Sequence, residues 1–172
     1  NFLPGFMKKY PEISLELNHG LSRHMVEEVL ADKIDIAIAV NPSQHLDLIV
    51  KEVLKDTVSL WHSRECKNTD LLILEPSLHQ TQDLLKKLGK TKFKFSRFIE
   101  TPSLEVAAQL VASGTGYGIL PERVAKAFGG GSIVKSPDAP EYYDKICLVY
   151  KREFSKTEKG KTFREAFISV HG

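Results

Sequence analysis

From Leu71 onward the chain alternates strand-like and helix-like stretches, and this alternation restricts the possible folds more than any other feature. Leu71–Leu74 is a short apolar run, and Leu78–Leu88 has helical spacing. Phe93–Ile99 reads as a strand again, followed by a helix over Ser103–Ser113, a strand over Tyr117–Leu120 and a helix over Glu122–Phe128. Strand, helix and strand in that order predict βαβ units and a parallel sheet covered by helices. The helix after Thr101 carries Leu104, Ala107, Ala108 and Val111 on one face of a 3.6-residue period. Thr101 is expected to cap it, with Pro102 at the first helical position and Gly114 as its stop.

The first part of the chain follows the same theme less regularly. Phe2, Leu3, Phe6 and Tyr10 have helical spacing up to Pro11. Ile13, Leu15 and Leu17 alternate with polar residues, which predicts a half-buried strand. Ser22 is expected to cap a helix over Arg23–Ala31, and Ile36–Val40 predicts a strand buried on both faces. Leu48–Leu54 and Thr57–Trp61 read as two strands split by Lys55-Asp56. Past Gly129–Gly131, Ile133-Val134 and Lys145–Tyr150 read as strands, and a helix over Thr157–Val170 buries Phe163, Ala166, Phe167 and Val170.

The expected organisation is α/β: a first lobe over 1–63, a second over 64–143, and a return strand and helix over 144–172 packing on the first. Two crossings between such lobes make a hinge with a cleft. Ligands in α/β sheets sit beyond the carboxyl ends of strands, where helices begin.

Composition excludes several classes. Across 172 residues, 42% are apolar and 27% charged, the balance of an ordinary globular chain. The formal charge of +2 is too small to argue for nucleic acid by itself. No apolar run approaches a membrane span, so no membrane partner is expected. Cys66 and Cys147 form no metal or redox spacing and fit a reduced, cytoplasmic chain, with one disulfide between them left open. Asn1-Phe2-Leu3-Pro4-Gly5 has no initiator Met, basic n-region or continuous apolar core. It reads as a cut inside a longer protein rather than as a signal peptide.

Three patterns invite sharper chemistry. Gly114-Thr115-Gly116-Tyr117-Gly118 suggests a dinucleotide loop, but its glycines follow a helix and lead into a strand, the reverse of what phosphate binding needs. Leu85–Phe98 interleaves Lys86, Lys87, Lys90, Lys92, Lys94 and Arg97 with Phe93, Phe95 and Phe98. That pattern fits single-stranded nucleic acid, and fits better a strand with one solvated face. The histidines do not converge: His19 and His24 splay apart on a helix, and His45, His62, His79 and His171 are scattered. No nucleophile with base and orienter assembles by spacing. The expectation is therefore no catalytic residue, no metal and no cofactor.

The ordered motifs resemble the effector-binding domain of LysR-type transcriptional regulators. The resemblance begins at Phe2-Leu3-Pro4-Gly5-Phe6-Met7-Lys8-Lys9-Tyr10-Pro11-Glu12-Ile13 and continues through Leu15-Glu16-Leu17 and Leu30–Ile38. It is strongest at Leu110-Val111-Ala112-Ser113-Gly114-Thr115-Gly116-Tyr117-Gly118-Ile119-Leu120-Pro121. It implies two α/β lobes joined by crossover strands, like type 2 periplasmic binding proteins. A small effector would lie in the interlobe cleft, and a DNA-binding domain would lie outside this chain. It also implies a strand before the opening helix, which this sequence lacks. By the same resemblance the domains pair as homodimers through the helix over Phe2–Tyr10 and a helix of the second lobe, and an exposed face on Phe2, Phe6 and Tyr10 would fit that contact. The alternative with the same fold is a periplasmic solute-binding protein of a transport system.

The effector-binding candidates follow from strand-end logic and this resemblance. In the first lobe they are His19 and Ser22, with Val40 and Asn41 on the rim. In the second they are Thr101, Pro102 and Ser103, with Glu75 on the rim and Tyr117 added. Opposed helix N-termini slightly favour an anionic effector, while Glu75 and Glu100 suit a cation equally well.

Overall fold

The computed structural model describes residues 2–171, without the side chains of 168, 170 and 171, so the expected burial of Val170 lies outside the described residues. In chain order the elements are α1 (Phe2–Lys9), α2 (Ser22–Leu30), β1 (Ile36–Val40), β2 (Leu48–Ser63), β3 (Leu71–Leu74) and α3 (His79–Leu88). There follow β4 (Arg97–Glu100), α4 (Leu104–Ala112), β5 (Tyr117–Pro121), α5 (Glu122–Phe128), β6 (Ile133–Lys135), β7 (Tyr142–Lys151), a 3₁₀ turn (Phe154–Lys156) and α6 (Glu158–His171). The chain divides into two compact units. One comprises the residues up to Lys55 with those from Lys145 onward; the other is Asp56–Asp144. The divisions fall within β2 and β7, which run through them unbroken.

In the first unit β1 pairs antiparallel with β7, Ile36 opposite Tyr150 and Val40 opposite Ile146. The pleat sends Ala37 and Ala39 to one face, where they pack with Val29 of α2, Leu48, Cys147 and Val149. α1 and α6 cover part of the other face, packing Phe2, Phe163 and Phe167 with Ile36, Leu148 and Tyr150. Phe2 meets Phe163 and Phe167 at 5.3 and 5.1 Å between ring centroids, and Phe6 meets Phe163 at 5.4 Å. Phe6 is thus only 3% exposed. Of the aromatic stripe expected to stand free for a dimer contact, Phe6 is buried and Phe2 half-buried against α6, and Tyr10 is half-buried beside Phe6.

Two further expectations for this unit are corrected. Ile13–Leu17 forms no strand, and Leu17 is 73% exposed. Alternation becomes a strand only where a ladder partner exists, and none of the described strands pairs with this segment. Ile36–Val40 is a strand but is not buried on both faces, because Ile38 is 57% exposed. β1 ends the strand order, and no described strand lies on its other edge.

In the second unit β3 is parallel to both β4 and β5, with Leu74 opposite Glu100 and Leu72 opposite Tyr117. β5 and β6 each run antiparallel to β2. One face packs Leu72, Leu74, Leu60 and Ile119 beneath Leu84 and Leu88 of α3. The other packs Ile73, Leu120 and Trp61 beneath Ala107, Ala108 and Val111 of α4 and Val124 of α5. Trp61 satisfies its indole N–H by donating to the Leu120 carbonyl at 2.9 Å. Gly114 ends α4 with φ of +78°, where a Cβ would be strained.

The expected break at Lys55-Asp56 does not occur: β2 is a single strand of 16 residues. Asp56 is tolerated inside it because its charge is matched. Its Oδ2 lies 2.8 Å from Nε of Arg123, and its Oδ1 accepts from the Thr57 N–H at 2.9 Å. A strand-breaking composition is thus overridden by a partner from α5.

Candidate functional site

In the first unit the carboxyl end of β1 meets the start of α2. Ser22 is not the helix cap. Leu21 stands at the N-cap and makes no side-chain cap bond. Ser22 is the first helical residue, and its Oγ accepts from the Val40 N–H at 2.9 Å. The antiparallel pairing explains this use. The Asn41 N–H donates toward β7, to the Lys145 carbonyl at 2.9 Å, so the preceding N–H at Val40 points away from β7 and needs another acceptor. Asn41 takes φ of +48°, a conformation that asparagine tolerates, and its Oδ1 accepts from the Lys145 N–H at 2.8 Å.

These bonds frame a recess of about 260 Å³ lined by Ser22, Arg23, Glu27, Val40, Asn41 and Ser43 among others. Ser22, Val40 and Asn41 are therefore brought together, while His19 is exposed and does not line the recess. Sequence reasoning missed Arg23 and Glu27. Their one-turn spacing places them on one helix face, which was the available signal. Neither has an ion-pair partner among the described residues.

In the second unit the parallel register of β3 and β4 sets the site. Leu74 faces Glu100, and the Thr101 N–H continues the ladder to the Leu74 carbonyl at 3.0 Å. Glu75 therefore emerges next to Thr101. It is 8% exposed, and its Oε1 accepts from the Ser77 N–H at 3.0 Å and the Ser77 hydroxyl at 2.6 Å. The cap of α4 is Ser103, not Thr101: Ser103 Oγ accepts from the Val106 N–H at 3.2 Å and donates to Glu105 at 2.9 Å. Pro102 accordingly precedes the helix, and Thr101 Oγ1 accepts from the Ser103 N–H at 3.2 Å.

Tyr117 is not gathered with these residues. It begins β5, opposite Leu72, toward the amino end of the parallel strands. Its ring stacks on His62 at 4.9 Å and lies 5.8 Å from Phe95. His62 Nδ1 is 2.9 Å from Ser136 Oγ, and burial lowers the pKa of its imidazole. Burial likewise pushes the Tyr117 phenol up.

Three of the six basic side chains of the run beside this cluster are paired. Lys87 pairs with Asp83 at 2.7 Å, Lys92 with Asp138 at 3.0 Å and Arg97 with Asp70 at 2.7 Å. Phe93 and Phe95 pack against the α3 side of the sheet, which uses these rings in the core; the strand expected from Phe93 is corrected, because residues 91–96 form no strand and β4 starts at Arg97. Cys66 and Cys147 are free thiols. Among the described residues no cluster of three metal-ligating side chains occurs, and no helix is long and apolar enough to cross a membrane.

An α/β chain with helices opening beyond the carboxyl ends of its strands belongs to the broad class of ligand-binding α/β domains. The family match is specific: residues 1–171 match the LysR substrate binding domain, and the chain belongs to that family. A relative is the HTH-type transcriptional regulator YofA of Bacillus subtilis, 26% identical over 92% of this chain and 58% of its own length. The chain thus spans little more than half of the relatives it matches. Among solved structures, the Synechocystis PCC6803 CcmR regulatory domain in complex with 2-PG superimposes with a TM-score of 0.79 at 17% identity, covering 99% of this chain and 89% of that one. The reduced OxyR regulatory domain of Pseudomonas aeruginosa gives 0.72 at 17% identity, covering 98% and 87%. These two likenesses establish the fold, that of the regulatory domains the sequence resembles.

Proposed function

We propose that this chain is the effector-sensing part of a bacterial LysR-type transcriptional regulator. It binds a small molecule at the carboxyl ends of its strands and acts as a cytoplasmic homodimer. DNA is contacted only through an N-terminal domain outside this chain. The observation that carries the proposal is the first-unit recess, where Ser22, Val40 and Asn41 are held by backbone hydrogen bonds beside the unpaired Arg23. An anionic group is supported by the uncapped start of α2 and by Arg23, and opposed by Glu27, which lines the same recess without pairing to Arg23. Ligand affinity that differs between two arrangements of the domain would shift their populations and so reach the DNA-binding part.

No enzyme activity is proposed, since the site holds no activated nucleophile and the relatives are HTH-type transcriptional regulators. A transport role is disfavoured for the same reason. The test is thermal unfolding of the 172-residue chain against a library of small carboxylates, sugars and amines. A ligand present at about 100 times its Kd stabilises by about 2.7 kcal/mol, whereas sequence-specific, salt-resistant DNA binding by this chain alone would refute the assignment.

A further inference from the structure

We draw no further inference here: the strongest candidate, the apolar surface patch at the free edge of β1, where Ile38 is 57% exposed and no described strand pairs, is left without a proposal because nothing in the structure shows what covers it.

Discussion

Replacing Arg123 by Ala isolates the device that lets a charged residue sit inside β2. The Asp56 side chain is 5% exposed and the Arg123 guanidinium 50% exposed, at 2.8 Å. Removing one partner of a fully buried pair costs about 3–5 kcal/mol, and an exposed pair contributes about 1 kcal/mol or less. Half of the cation keeps its hydration, so the expected loss lies between these, at roughly 2 kcal/mol. For a chain of this size that loss lowers Tm by about 4–8 °C. Asp56→Asn should cost less, because its side-chain oxygen still accepts from the Thr57 N–H. The double variant should fall short of the sum of the two by about 1 kcal/mol. Urea unfolding followed by circular dichroism measures all three. A loss below about 0.5 kcal/mol for R123A, or strict additivity, would refute the claim that Arg123 neutralises a buried charge.

Three other outcomes are expected. Ser22→Ala strands the Val40 N–H and should destabilise by about 1 kcal/mol, with faster amide exchange at Val40 as its local signature. Gly114→Ala places a Cβ at φ of +78° and should cost about 1 kcal/mol or more, read from the denaturation midpoint. The His62 imidazole is held below its ordinary value of 6.5 by burial. Its unfolded state therefore binds the proton more readily, so its contribution is present above pH 6.5 and is lost as pH falls through the folded value. His62→Gln, whose amide can still hydrogen-bond Ser136, should flatten that part of the Tm–pH curve, and an unchanged slope would contradict the assignment.

The alternation from Leu71 to Phe128 was legible because each element there is decided by its own periodicity. α3, α4 and β5 lie within a residue or two of their expected bounds, and Gly114 ends α4 as its conformational freedom suggests. Caps were read less well. Thr101 and Ser103 are chemically equivalent candidates, and only the reach of Ser103 Oγ to the Val106 N–H separates them. Of the candidate site, Ser22, Val40 and Asn41 converge, as do Glu75 and Thr101, because strand-end loops are predictable from element order. His19 falls outside because the strand expected before it does not form, and Tyr117 because it begins its strand rather than ending one.

The sequence by itself determined the elements whose evidence is local: apolar period, turn glycines and helix-then-strand order. It also carried the ordered motifs by which the family was recognised. Only the tertiary structure decided which strands find partners and which charges are matched. Ile13–Leu17 alternates as well as any strand yet joins no ladder, while Lys55-Asp56 looks like a break yet lies within one. Both outcomes depend on residues far away in the chain. A ladder exists only where a second backbone offers its hydrogen bonds, and a buried carboxylate persists only where a donor or cation reaches it. Arg123 reaches Asp56, and no described cation reaches Glu75.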